Sequence, residues 1–334
     1  MKFYQRKNIK IFIKYFLGPI LFAGLSFSIY RQIKNQPDLP QAWTRIRQSL
    51  DSAMIWNLFA VLALMIANWS IETVKWKLSV KKIQDVGFLK AFKAVLSGVS
   101  FSVSTPNRMG EYLGRVLYMD EGNRLKSISL TIVGSISQLI ITLMMGCISL
   151  IVLLPKIQTA GMLASPWNHV LLYGVLTSLI VLTLFYFRLS WLIKWVNRFS
   201  AKNRYLYLVQ SLESFDLKLL LQLLFLSALR FFIFIIQYYL LFRLFDVNIL
   251  WWQGFWATSV SFLVLAIIPT FAIAELGLRG QVVLSLVGLF SSNGLGITIT
   301  AGSIWFINLV IPAIIGSLLI LGIKKIFRGK NEKA

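Results

Sequence analysis

One cysteine and one histidine, Cys147 and His169, are all that this chain of 334 residues offers to thiol or imidazole chemistry. Neither a disulfide framework nor a zinc cluster nor a histidine-based triad can be assembled from that inventory. Charge is scarce as well, at 14% of residues, and acidic charge scarcer still, with 12 Asp and Glu against 34 Lys and Arg. A soluble domain of this length needs far more polar surface than that. No Gly-x-x-x-x-Gly-Lys-[Ser/Thr] sequence occurs, so hydrolysis of ATP by this chain is not expected, and no cofactor is implied. What the chain has instead is hydrophobic sequence: 57% of residues, in recurring runs of about 20, the length a bilayer-crossing helix requires. The composition specifies a polytopic, all-α integral membrane protein, a single membrane domain over 1–334.

The net charge of +22 raises nucleic acid as a partner, but its distribution excludes it. Basic residues sit in short segments flanking apolar runs, the pattern that orients membrane helices. After Lys2, Arg6, Lys7, Lys10 and Lys14, an apolar run from about Tyr15 to Tyr30 reads as an uncleaved first span bent near Gly18-Pro19. Trp43, Ile46, Leu50 and Met54 then recur at helical spacing with Arg45, Arg47 and Asp51 between them, which predicts a helix lying on the membrane surface. Further spans follow at about Met54–Val74, Ser127–Leu154, Val170–Phe187, Leu219–Leu241 and Leu295–Ile323, six in all.

Two stretches do not fit a simple crossing. Ser104-Thr105-Pro106-Asn107-Arg108-Met109-Gly110-Glu111-Tyr112-Leu113-Gly114-Arg115 and Ile268-Pro269-Thr270-Phe271-Ala272-Ile273-Ala274-Glu275-Leu276-Gly277-Leu278-Arg279-Gly280 each break apolar sequence with a proline. Each then carries Glu-x-x-x-Arg, and the same offset of 164 residues separates Glu111 from Glu275 and Arg115 from Arg279. Pro106, Gly110, Gly114, Pro269, Gly277 and Gly280 are the expected helix-breaking positions. The pattern reads as a diverged internal repeat, 54–154 and 219–323, each copy with a re-entrant hairpin at 91–119 or 251–290.

Positive-inside reasoning supports the hairpins. With the N-terminus cytoplasmic and both hairpins returning to their starting sides, only Arg31, Lys34, Arg45, Arg47, Lys156 and Arg243 fall outside. Arg108, Arg115, Arg230 and Arg279 lie at membrane depth, and every other basic residue is cytoplasmic, as is the C-terminus. The first hairpin then opens from the cytoplasmic side and the second from the external side. That is an inverted-topology repeat of about six full spans and two broken-helix hairpins, the construction many transporters use. Non-helical backbone at this depth is tolerated only against protein or water, so a central polar cavity is expected.

A charge at the helix centre costs roughly 2.5–3.5 kcal/mol on insertion scales, so each should be partnered or functional. Arg108, Arg115, Arg230 and Arg279 outnumber Glu111 and Glu275, and helices resuming after each proline add positive dipole ends. With Asn107 beside them, these residues suit an anionic headgroup, the arginine forks suiting phosphate in particular. The plainer reading of Glu111–Arg115 and Glu275–Arg279 is an ordinary i, i+4 helix pair. Arg108 could snorkel to the headgroups, and Arg230 could be satisfied by a buried acid such as Glu275. Glu72 reads as an interfacial residue that pairs with Lys75, and Trp251, Trp252 and Trp256 as an aromatic belt. Gln138, Gln222 and Gln237 read as helix–helix hydrogen-bonding residues.

Pro106-Asn107-Arg108-Met109-Gly110-Glu111 with Gly114-Arg115, the later Ala274-Glu275-x-Gly277-x-x-Gly280, and the helix around Leu229-Arg230 resemble the lysylphosphatidylglycerol synthetase transmembrane-region, or flippase-like domain, family. The resemblance covers roughly Tyr15 to Ile323. In bifunctional members of that family the membrane region moves aminoacylated phosphatidylglycerol to the outer leaflet, and a soluble synthetase domain follows. Here the sequence ends soon after the last span, so the resemblance implies a stand-alone transport half. Pro269-Thr270-Phe271 lacks the glycine-rich turn often found there in the family.

The sequence therefore predicts translocation of an anionic or aminoacylated phospholipid, or a related lipid, across a bacterial cytoplasmic membrane. The chain itself is not expected to be an enzyme. Membrane lipids are its expected partners. A lipid-modifying transferase using Glu111 or Glu275 as base is the rival from the enzyme class, although no nucleophile–base–orienter set converges. A scaffold docking a partner lipid synthetase through Arg188–Lys218 is the third reading.

Overall fold

The computed structural model describes residues 39–103, 105, 108–162, 165–188, 215–270 and 272–320, together with Phe27, Tyr30, Arg31 and Lys34. All regular structure among the described residues is helical, and five helical stretches are long and apolar enough to cross a membrane. These are Ala53–Val80, Glu121–Thr159, Val170–Phe187, Leu217–Leu244 and Gly294–Ile320. The protein is an all-α integral membrane protein. The first expected span, about Tyr15 to Tyr30, lies outside the described residues apart from Phe27 and Tyr30. So do most of the basic segment Arg188–Lys218 and the closing run Lys324–Lys333.

In chain order the helices are α1 (Leu39–Leu50), α2 (Trp56–Val80), α3 (Phe88–Val103), α4 (Gly110–Val116), α5 (Arg124–Thr159), α6 (Ser165–Phe187), α7 (Leu217–Leu244), α8 (Trp251–Ile267), α9 (Ala272–Val287) and α10 (Gly294–Ile320). Several starts are fixed by capping side chains that accept otherwise orphaned N–H groups. Asp216 takes the amide of Leu219 at 2.8 Å, and Asn293 that of Gly296 at 2.9 Å. A π-helical turn, Phe306–Val310, lies within α10.

α1 has the amphipathic character its sequence calls for. Ala42 and Ile46 are buried while Trp43 and Leu50 are exposed, and Arg45 pairs with Asp246 at 3.4 Å.

Three hydrogen bonds set the relation of α2 to α7. Gln237 donates to the Val61 carbonyl at 2.9 Å, Arg230 meets Asn68 at 2.8 Å, and Lys75 meets Ser227 at 3.4 Å. As residue numbers rise along α2 they fall along α7, so the two helices run antiparallel. α5 is antiparallel to α2 by the same logic, with Asn123 donating to the Ile83 carbonyl and Trp76 to Thr131.

Between α2 and α5 the chain makes a hairpin of α3 and α4. At about 1.5 Å per residue, α3 is about 24 Å long and α4 only about 10 Å, so neither crosses a bilayer of about 30 Å. Its two ends are tied together: the Asp120 amide donates to the Gln84 side chain at 3.1 Å. The chain thus leaves and returns at the same end of the molecule, beside Ile83 and Asn123.

The pair α8 and α9, about 25 and 24 Å long, repeats this between α7 and α10. Here Asn293, just past the second arm, donates to the carbonyls of Phe245 and Asp246 at 3.2 and 2.9 Å, just before the first. This hairpin therefore also returns to where it began. Asp246 pairs with Arg45, and Lys156 at the far end of α5 lies 4.0 Å over the Phe290 ring, so this is the opposite end from Gln84 and Asp120.

α3 ends at Val103 and α4 begins at Gly110, while α8 ends at Ile267 and α9 begins at Ala272 with Pro269 between them; Ser104, Pro106, Asn107 and Phe271 lie outside the described residues. Four expected helix-breaking glycines do not break helices. Gly110 opens α4, Gly114 lies inside it, and Gly277 and Gly280 lie inside α9. All four sit at buried positions, and at Gly110 and Gly114 the missing side chain lets a neighbouring backbone approach. At Gly114 a Cβ would strike the Cα and N of Gly98, so α3 and α4 touch backbone to backbone there.

The aromatic side chains near the start of α8 cluster as a group. Trp252 stacks on Trp256 at 5.9 Å, Tyr239 meets Trp251 edge-on at 4.9 Å, and Trp252 remains exposed.

Candidate functional site

Asn68, Glu72, Lys75 and Ser79 recur at spacings of four, three and four along α2, which places them on one face, and all four are buried. Glu72 is the centre of this stripe. Its Oε1 accepts from Arg115 Nη2 at 2.8 Å, and its Oε2 takes Lys75 Nζ at 2.9 Å and Arg230 Nη1. Arg230 also donates from Nε to Asn68 at 2.8 Å and lies 5.6 Å from the Trp69 ring. Arg115 completes its second contact with Glu111. One carboxylate thus joins α2, α4 and α7 through three cations.

The sequence reading of Glu72 as interfacial and of Lys75 as cytoplasmic is corrected here. They do pair, as anticipated, but at 5% and 3% exposure they lie in the interior. Lys75 is therefore no part of the cytoplasmic positive charge to which it was assigned. Arg230 finds its acid in Glu72, one helix away, in place of Glu275.

A second cluster forms where the hairpins meet. Arg108, the residue at the tip of the first hairpin, donates from Nη2 to both carboxylate oxygens of Glu275, at 2.7 and 3.0 Å. Arg279 donates to Glu275 Oε1 at 2.6 Å and to the Tyr238 hydroxyl at 3.2 Å. Arg108 adopts φ of 57°, the left-handed region that L-residues other than Gly, Asn and Asp rarely occupy. Its side chain is 45% exposed, against 11% for both Glu275 and Arg279.

The structure therefore brings the six described charged residues of the anticipated site into two groups: Glu111, Arg115 and Arg230 around Glu72, and Arg108, Glu275 and Arg279 between the hairpins. Both anticipated i, i+4 pairs are present. Each Glu-x-x-x-Arg arginine also reaches the long helix preceding its own hairpin: Arg115 finds Glu72 on α2, and Arg279 finds Tyr238 on α7. Each group carries one more positive than negative charge. Where a polar cavity was anticipated, the meeting point of the tips is occupied by these ion pairs.

Of the glutamines, Gln237 and Gln138 bridge helices, to Val61 and to Ser227. Gln222 instead lines an open groove of about 830 Å³ between α2 and α7, with Val74, Leu78, Leu221 and Phe225. Val74 and Leu78 lie on the other face of α2 from Glu72, so this groove does not reach the ion pairs.

No curated protein and no solved structure matches the chain. A family model described as the lysylphosphatidylglycerol synthase TM region matches residues 19–316, a stretch that contains both hairpins and both ion clusters. On that match, which spans most of its length, the chain belongs to the lysylphosphatidylglycerol synthase transmembrane-region family.

Proposed function

We propose that the protein moves a phosphate-bearing lipid headgroup, anionic or aminoacylated, between the leaflets of a bacterial cytoplasmic membrane while the acyl chains stay in the bilayer. The observation that carries this reading is the Arg108–Glu275 contact. It joins hairpins that enter from opposite ends of the molecule, at a depth where charge is costly unless used. The hairpin-tip group carries excess positive charge on that path, and arginine forks match phosphate oxygens.

The two halves, 56–159 and 217–320, run through the same order of long helix, broken pair and long helix, with their first helices antiparallel. We read them as an inverted repeat whose rocking would expose the meeting point to each leaflet in turn. We take the end that carries Lys77, Lys81, Lys82, Lys90, Lys93, Arg124 and Lys126 as cytoplasmic, and propose that both termini lie on that side. Family membership supports a lipid-related membrane role and a domain distinct from a synthetase.

The test is reconstitution into liposomes containing a fluorescent phosphatidylglycerol, followed by dithionite quenching from outside. Protein-containing liposomes should lose fluorescence from both leaflets, whereas protein-free liposomes lose only the outer half. Quenching that stops at half with folded protein present would overturn the reading.

A further inference from the structure

We propose that the two Glu-x-x-x-Arg pairs are functionally unequal. The phosphate site is the hairpin-tip cluster Arg108, Glu275, Arg279 and Tyr238, with Glu275 occupying the place of the ligand's phosphate, and the Glu72 group is a fixed pivot. This rests on the lipid-transport reading for its ligand but not for its location.

Three observations separate the clusters. The core of the Glu72 group is closed: Lys75 and Arg115 are each 3% exposed, with only Glu111 at its edge reaching 26%, both Glu72 oxygens are taken, and α4 is held against α3 by the Gly98–Gly114 contact. The tip cluster is reachable, because Arg108 is 45% exposed and is the tip's only tie to Glu275 among the described residues. The partners on the long helices also differ in kind. Arg115 is anchored by a carboxylate, whereas Arg279 is met by the neutral hydroxyl of Tyr238, and its buried Nε has no hydrogen-bond partner. Arg115 Nε is also unpartnered, but within the closed group.

The chemistry of exchange balances. Glu275 accepts from guanidinium groups of both hairpins, as a phosphodiester would, and both carry a single negative charge. When a phosphate takes Arg108 and the free Nε of Arg279, Glu275 keeps its i, i+4 partner Arg279 and is not stranded. The incoming charge neutralises the excess positive charge of the cluster. Arg108, held in a left-handed conformation, is then freed from the second hairpin, so binding and release of the tips are one event.

The assignment predicts an unusual sign. Removing the resident carboxylate with Glu275→Gln should tighten phosphate binding, while Arg108→Ala should weaken it about tenfold, the loss of one charge-assisted contact. Arg108→Lys should fall between, and Arg115→Lys should leave it unchanged. Binding is read as the dose-dependent rise in unfolding temperature. One arm titrates the detergent-solubilised protein with inorganic phosphate against chloride of equal ionic strength. A second compares nanodiscs of phosphatidylglycerol with nanodiscs of phosphatidylcholine.

The expected pattern is the same order of variants in both arms. Weaker binding by Glu275→Gln, or loss in Arg115→Lys matching that in Arg108→Ala, overturns the assignment. A response to inorganic phosphate alone overturns the lipid as ligand. Should the expected pattern appear without leaflet exchange by wild-type protein, the site stands and the transport reading fails.

Discussion

Arg115 Nη2 lies 2.8 Å from Glu72 Oε1, joining the short returning arm of the first hairpin to the long helix that precedes it. The same carboxylate holds Lys75 and Arg230, so one interior acid is shared by three cations.

Glu72→Ala should therefore destabilise the protein severely. Removing one partner of a buried ion pair costs about 3–5 kcal/mol because the remaining charge is left uncompensated. Thermal unfolding in detergent should show a large loss for Glu72→Ala. Adding Lys75→Met to that variant removes one stranded cation and should recover part of the loss.

Gln237→Leu should behave quite differently. Its single donated bond to the Val61 carbonyl joins α2 and α7, but interhelical hydrogen bonds in membranes average about 0.6 kcal/mol. The unfolding temperature should fall only slightly, and a loss as large as that of Glu72→Ala would contradict this ranking.

Gly114→Ala should force α4 away from α3, since the added Cβ meets the backbone of Gly98 and backbone cannot rotate aside. Overpacking of this kind costs typically about 1–3 kcal/mol. Gly174→Ala is the control: nothing lies within 4 Å of its Cβ position, and its stability should match or exceed wild type. Equal effects of the two substitutions would contradict the close crossing.

Much of this fold was readable from residue order. Five of the six expected spans coincide with described helices because an uninterrupted apolar run of about 20 residues has few alternatives to a membrane helix. The i, i+4 pairs were readable because helical spacing alone brings Glu111 to Arg115 and Glu275 to Arg279.

Glu72 and Lys75 were missed for a physical reason. Near the end of a span, a charged residue usually reaches the interface, and only tertiary packing turned this one inward. A signal was present nonetheless: Asn68, Glu72, Lys75 and Ser79 form a polar stripe on one face of an otherwise apolar helix. The glycines were misread as breaks because their cost in a helix was weighed without the close approach they permit. Arg108–Glu275, 167 residues apart, depends on how the hairpins dock and leaves no local trace.

The most direct test is of sidedness, because the account depends on two hairpins that return to opposite faces. Single cysteines at Asp85, Glu121, Thr159 and Asn248, each exposed and each introduced with Cys147→Ser, are labelled in sealed vesicles by a membrane-impermeant maleimide. Asp85→Cys and Glu121→Cys, before and after the first hairpin, should label from one face, and Thr159→Cys and Asn248→Cys from the other. If Asp85→Cys and Glu121→Cys label from opposite faces, the first hairpin is a crossing and the account is wrong.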